Sequence, residues 1–348
     1  MCRRFVLAIL ISLVAAPAVA DGRFSVDHQI EIEQLSRTWM FAAAIVIAAG
    51  LALLLFVRQQ YDSPARDASP TTRSAVPPDA LPPVIAGALL ANGSPQHQHA
   101  MAALVSLADR GELRIEEQGR LLGQRQFAIA RTTSRRPLSP HEEKLLEIIF
   151  DADGGAVPFG KARNRLLRHF GKFRVALEPA MRSADLLDED RRTVRRHFGS
   201  VAAGCLISAG LIAFALAFVV RQFGPWPMLI PLALGVVGVL ALICFAAHTP
   251  LSNHGLQRAR DWRGFRQYLH DIARDREPSP GDAVMRQMLP YAIALGLGHS
   301  WAAYLKKHRS AAPEWFRAVS GTGSDGAVAF SSFIASGTAH AGGQAHGG

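Results

Sequence analysis

Four cations recur at helical spacing in the middle of the chain: Lys161, Arg165, Arg168 and Lys172, at offsets of four, seven and eleven. On a helix they form one stripe. Its chemistry is electrostatic contact with phosphate or carboxylate groups rather than bond making. An ordinary solvated helix face is the default expectation. Contact with anionic lipid headgroups ranks second, since neighbouring apolar segments would hold the stripe near a bilayer. Contact with nucleic-acid phosphate ranks third. Other reactive groups are sparse. His97 and His99 make a His-x-His pair without a third ligand, which predicts a solvated helix start rather than a metal centre. His340 and His346 fall in a Gly-rich end. Cys205 and Cys244 read as buried apolar thiols at similar depth, and Cys2 lies in an N-terminal targeting segment. No CxxC pattern or nucleophile–base constellation occurs. The expectation is no catalytic residue, no metal, no cofactor and no enzyme.

Apolar segments must position these groups. Residues 39–57, 200–220 and 228–247 contain no charged residue and are each about as long as the roughly 20 residues that cross a bilayer. They account for a 49% hydrophobic content beside a 19% charged fraction. Residues 1–20 read as a signal peptide, with Arg3 and Arg4 before a short apolar core and Ala18-Val19-Ala20 as the cleavage site. Residues 21–38 are then a short extracytoplasmic segment. The net charge of +10 and pI of about 10.2 concentrate outside the spans. Arg191, Arg192, Arg195 and Arg196 precede the second span, and Arg258, Arg260, Arg263, Arg266, Lys306 and Lys307 follow the third. The positive-inside rule predicts a mature N-terminus outside and a C-terminus in the cytoplasm of a bacterial inner membrane. No Asp, Glu, Lys, Arg or His lies mid-span, which argues against transport. Ala44, Ala48 and Ala52 in the first span, and Ala209, Ala213 and Ala217 in the second, recur every four residues and predict helix-packing faces.

The polar regions read as follows. Residues 58–80 form a Pro/Ser/Thr-rich flexible linker. Residues 81–198 are a cytoplasmic region. Helices over 81–90 and 94–110 are followed by period-two alternation at Leu113, Ile115, Phe127 and Ile129, a hairpin around residues 119–123, and together the outline of a winged-helix-like unit. Ser139-Pro140-His141-Glu142 starts a further helix through a capping box, and residues 161–174 form the basic one. Residues 248–320 are a second cytoplasmic helical region, with Trp262, Phe265, Leu269 and Ile272 on one face. That face packs on the other cytoplasmic units or lies on the bilayer surface. Residues 321–348, rich in Gly, Ala and Ser, read as a disordered tail.

Four stretches carry a likeness. Leu81-Pro82-Pro83, Leu107-Ala108-Asp109-Arg110-Gly111, Trp262-Arg263-Gly264-Phe265 with Tyr268-Leu269, and the run Leu289, Pro290, Tyr291, Ala292, Ile293, Ala294, Leu295, Gly296 resemble the bacterial predicted-membrane-protein family of domain of unknown function 2207, over roughly residues 80–320. The last run is the most specific. The resemblance implies a signal peptide, an N-outside first span, a paired span hairpin and a Gly-rich tail, and implies no chemistry. The large extracytoplasmic domain typical of that family has no counterpart in residues 21–38.

The fold class expected is a multi-pass α-helical membrane protein with a cytoplasmic α+β winged-helix-like unit plus helical units. The function expected is that of a non-enzymatic scaffold or regulator acting through those units, partnered by the lipid bilayer and by a protein of unspecified identity. A membrane-tethered nucleic-acid-binding regulator is the alternative, and an enzyme with an unrecognised site a weaker third.

Overall fold

The computed structural model describes residues 26–60, 73–121, 123–132, 137–150, 155–217, 226–278, 280–319 and 324–338. It is mostly helical with one small sheet. The chain divides into two compact units, one of residues 1–60 and 199–243, the other of residues 61–198 and 244–348.

The first unit is made of three apolar helices. Helix α1 is Val26–Gln60; α6 is Glu189–Ala217; α7 is Leu229–Ala247, entered through a 3-10 turn at Trp226–Met228. The parts long and apolar enough to cross a membrane are Arg37–Phe56, Glu189–Ala217 and Trp226–Ala247. The first two helices start earlier than expected. The polar residues from Val26 onward extend α1, so part of the segment 21–38 is helical, and α6 begins at Glu189 rather than at residue 200. The expected signal peptide, residues 1–20, and residues 218–225 lie outside the described residues. Large apolar side chains point outward: Phe41 is 70% exposed, Leu211 66% and Phe214 69%.

The helices of this unit approach through glycine. A Cβ on Gly50 of α1 would lie 2.5 Å from the Val237 side chain of α7, and one on Gly238 of α7 would meet Leu206 and Cys205 of α6 at 2.8 and 3.3 Å. Backbone contact at these points requires the missing side chain. The expected alanine ladder of α1 is not the packing face. Ala44, Ala48 and Ala52 are exposed, and Ala43 and Leu54 are buried instead. In α6, Ala209 is buried but Ala217 is exposed, and Ala202 completes the covered face.

The second unit interleaves chain from both sides of the α6–α7 pair. Its helices are α2 (Pro83–Leu90), α3 (His97–Asp109), α4 (Pro140–Phe150), α5 (Phe159–Ser183), α8 (Asn253–Ala273), α9 (Asp282–Ala294), α10 (Gly298–Lys307) and α11 (Ser324–Thr338). Strands β1 (Leu113–Leu121) and β2 (Gln124–Arg131) form the expected antiparallel hairpin, bulged between Glu117 and Gly119. Short strands β3 (Val157–Pro158) and β4 (Phe316–Arg317) complete a sheet of order β3-β2-β1-β4, with β4 parallel to β1. Local signals explain the breaks. Gly111, at φ +81°, lets α3 end with the amide N–H groups of Gly111 and Glu112 donating to the carbonyls of Ala108 and Leu107, and the chain turns directly into β1. The Ser139 backbone N–H donates to the Glu142 carboxylate at 2.9 Å, which is half of the expected capping box.

One core runs through these elements. Trp262 stacks on Tyr291 at 5.4 Å and 22°, with Phe265 edge-on to both. The Tyr291 hydroxyl donates to the Leu81 carbonyl at 3.0 Å, and Trp301 Nε1 donates to the Leu269 carbonyl at 3.2 Å. Helix α8 is thus packed in the core rather than exposed on a surface.

Two expectations for this unit need correction. The segment 321–348 is not wholly disordered. Within it α11 is an ordered helix whose Phe330, Phe333 and Ile334 are buried against the sheet, Phe333 meeting Phe127 and Phe159 edge-on at 5.5 and 5.1 Å. The spacing of those three apolar residues outweighs the small-residue composition around them. Residues 339–348 lie outside the described residues. The end of the supposed flexible linker is also tied down. Arg73 pairs with Glu277 at 2.7 Å and Asp271 at 3.2 Å, and Asp79 accepts from Arg258 at 2.8 Å. Residues 61–72 of that linker lie outside the described residues.

Candidate functional site

The four cations of the stripe all lie on α5 but do not act alike. Lys161, Arg168 and Lys172 are exposed. Arg165 is half-buried, and its Nη1 donates to the Ile149 carbonyl at 2.8 Å. That bond satisfies a backbone acceptor in the last turn of α4, which has no intrahelical partner to receive. Helix α5 also leaves helical geometry at His169, with φ −110° and ψ 16°. The break falls between Arg168 and Lys172, so the regular 3.6-residue register assumed for the stripe does not carry through. The stripe is three exposed cations and one structural arginine on a bent helix.

The histidine pair separates as well. His97 is exposed and stacks on Phe170 with ring centroids 4.1 Å apart. His99 is fully buried rather than solvated, and its Nδ1 accepts the Gln96 backbone N–H at 2.8 Å. Burial pushes its pKa down to about 3, against a weaker upward pull from the Ala294 carbonyl. It is a neutral ring that ties the start of α3 to the core. His141 is depressed by burial too, with Glu142 opposing and Arg110 assisting. For Glu142, burial pulls the carboxyl upward, but the Ser139 backbone N–H, the Ser139 hydroxyl and the Arg110 guanidinium together hold it below the ordinary range. Among the described residues no group of three or more His, Cys, Asp and Glu could hold a metal ion. Cys205 and Cys244 are half-buried and are not joined in a disulfide.

A basic hollow was not singled out from the sequence. Arg174 of α5 and Arg192, Arg195 and Arg196 of α6 line a space of about 340 Å³, with Glu178 the one carboxylate in the lining. The Arg195 guanidinium lies 4.6 Å over the Phe245 ring, and its Nη1 reaches the Ser94 hydroxyl at 3.4 Å. Glu178 is engaged by Arg192 and by Arg182, the latter at 2.6 Å, and the Arg192 hydrogen bond is the main cause holding its carboxyl low. The signal was available in Arg191, Arg192, Arg195 and Arg196, but on sequence that run reads only as a topology marker.

The stretches that carry the family likeness meet in the core. Leu289, Pro290, Ala292, Ile293 and Ala294 are buried in α9, and Tyr291 joins the Trp262–Phe265 ring cluster. The Leu295 carbonyl accepts from Arg266 Nε at 2.9 Å, and Gly296, at φ +81°, terminates the helix. Leu81 supplies the acceptor for Tyr291, and Gly111 ends α3. These residues specify the packing of the unit and place no reactive group together.

No curated protein and no solved structure matches the chain. The family model described as "Predicted membrane protein (DUF2207) C-terminal domain" matches residues 69–305, which is more than half of the chain and takes in every one of those core motifs. The chain belongs to that family of predicted membrane proteins.

Proposed function

We propose that the protein is a non-enzymatic scaffold or regulator of the bacterial inner membrane, acting through one folded unit on the cytoplasmic face. One observation carries this reading: strands and helices from both sides of the α6–α7 pair share a core. Strand β1 pairs with β4, and the Tyr291 hydroxyl bonds Leu81 across the intervening chain. Two flanks that fold together must lie on the same side of the bilayer, which requires α6 and α7 to cross as a pair. The arginines before α6 and after α7 then favour the cytoplasm for that side, and the mature N-terminus outside. The hairpin with helices packed against it supports the winged-helix-like reading, but β3 and β4 pair with it and α11 packs on it, so part of the hairpin is already occupied by the chain itself. This favours a protein partner over nucleic acid.

The test uses the full-length chain, because a fragment ending at residue 198 would lack α8–α11 and half of the core. Reporter fusions at the C-terminus and within residues 221–225 should read inside and outside. Site-specific photo-crosslinkers on the exposed face of α5 in intact cells should recover one protein partner in stoichiometric yield. An outside signal from the C-terminus overturns the topology. Retention of duplex DNA by the reconstituted protein, with steep salt dependence, overturns the partner assignment in favour of a tethered nucleic-acid binder.

A further inference from the structure

We propose that the arginine-lined hollow binds the phosphate headgroup of an anionic phospholipid. The inference needs α6 and α7 to cross the bilayer but is independent of the scaffold role. Its first support is charge. Of the four arginines, Arg192 is matched by Glu178, and the lining contains no second carboxylate to face Arg174 and Arg196. Guanidinium groups suit phosphate because their planar forks offer paired N–H donors.

The second support is depth. Arg195 and Arg196 lie four to five residues before Ser200, on the same helix that continues through apolar residues to Ala217. At 1.5 Å per residue that is roughly 6–8 Å. The polar headgroup layer extends about 5–8 Å beyond the hydrocarbon on each side. The guanidinium of Arg195 rests on Phe245, which lies in the last turn of α7. Both paired helices therefore contribute their polar ends to the hollow, and basic pockets between spanning helices are where anionic headgroups bind.

The third support is the mixture of surfaces. The hollow far exceeds the volume of a single water, about 30 Å³. Its lining joins the arginines to Val175, Met181, Leu187 and Phe245, and Val175 is 64% exposed. An exposed valine beside guanidinium groups is poorly suited to water but well suited to the glycerol and first acyl carbons that follow a lipid phosphate. A soluble phosphate would use only the charged part.

The experiment follows thermal unfolding of the full-length protein in non-ionic detergent while phosphatidylglycerol, phosphatidylcholine or inorganic phosphate is titrated in. Phosphatidylglycerol should raise the melting temperature saturably, and the other two should not at matched concentration. The pair Arg174→Gln and Arg196→Gln should move the phosphatidylglycerol midpoint about ten-fold or more, from the electrostatic contribution of each cation near the surface. The pair Arg168→Gln and Lys172→Gln on the stripe should move it less than two-fold. Arg195→Lys keeps the charge but loses the fork and should weaken the midpoint several-fold. If the double variant does not fold, this variant decides. Equal midpoints for wild type and the hollow variants overturn the proposal. So does an equal shift by inorganic phosphate, which would mark a free-anion site, or an equal loss from the stripe variants, which would mark diffuse attraction.

Discussion

The two units use the same apolar residue types in opposite directions. In the helical unit the large side chains of α1 and α6 face out, as Phe41 and Leu211 do, and close contact falls to Gly50 and Gly238. In the interleaved unit Trp262, Trp301, Phe173, Phe265 and Phe333 are all fully buried, and charged side chains cover the outside. The difference lies in the surroundings. Against lipid, burying leucine within the protein gains little, so packing relies on backbone proximity. Against water, apolar burial is the main driving force.

The sharpest way to break this comparison is truncation of equivalent rings. Trp262→Ala should lower the stability of the interleaved unit by about 3–5 kcal/mol. Phe214→Ala, an outward ring in α6, should leave the melting temperature nearly unchanged. Thermal unfolding of the full-length protein, followed by near-ultraviolet circular dichroism, separates them. Similar losses would mean that α6 is packed against protein rather than lipid.

Adding charge reverses the order of sensitivity. Leu211→Arg should oppose insertion of α6 by about 2.5–3.5 kcal/mol. Val76→Arg, at an exposed valine of the interleaved unit, should be within about 0.5 kcal/mol of neutral. The fraction of each variant recovered in washed membranes measures this.

Acid should act on the interleaved unit and leave the apolar spans unchanged. His99 stays neutral in the folded chain down to about pH 3, whereas the unfolded chain takes up that proton below 6.5. The unfolded state then binds more protons, so stability falls as the pH drops from 6.5 towards 3. By pH 5 the loss from His99 is about 2 kcal/mol. His141 and His270, also depressed mainly by burial, shift in the same sense. Replacing His99 with Gln should remove roughly one proton's worth of this slope. An unchanged slope would place the ring in contact with water. The helicity of the spans should not respond, since no Asp, Glu, Lys, Arg or His lies between residues 38 and 56 or between residues 201 and 217.

The smallest effect belongs to the stripe. Arg168→Gln and Lys172→Gln should each change folding stability by less than about 0.5 kcal/mol. Arg165→Gln should cost about 1 kcal/mol, because the Ile149 carbonyl loses its donor. Equal effects at the three positions would show that the Arg165–Ile149 bond adds no stability.

What sequence reveals follows the range of the interactions. The three spans, the hairpin and the Ser139 cap depend on neighbours a few residues away, and each was legible. The bend at His169 was hidden because the cation spacing on either side fits an unbroken helix. Helix α11 was hidden because its apolar residues are covered by other elements, Phe333 by Phe127 of β2 some 200 residues earlier and by Phe159, and Phe330 by Trp315 and Phe316. The docking of Arg73 on Asp271 and Glu277, and the gathering of Arg174 with Arg195, are likewise products of the tertiary fold. A local pattern can show that an arginine is near a membrane, but not that a second arginine faces it.

The pairing of β1 with β4 has a consequence for how the molecule is made. Strand β1 leaves the ribosome well before the α6–α7 pair, and β4 leaves after it. Until then Phe127 has neither Phe316 nor Phe333 to cover it, and the half-built unit offers an open apolar face. Insertion of the hairpin therefore comes before completion of the unit. A ribosome that stalls between the two leaves a tethered, uncovered nascent chain, the kind of species that chaperones hold and proteases clear.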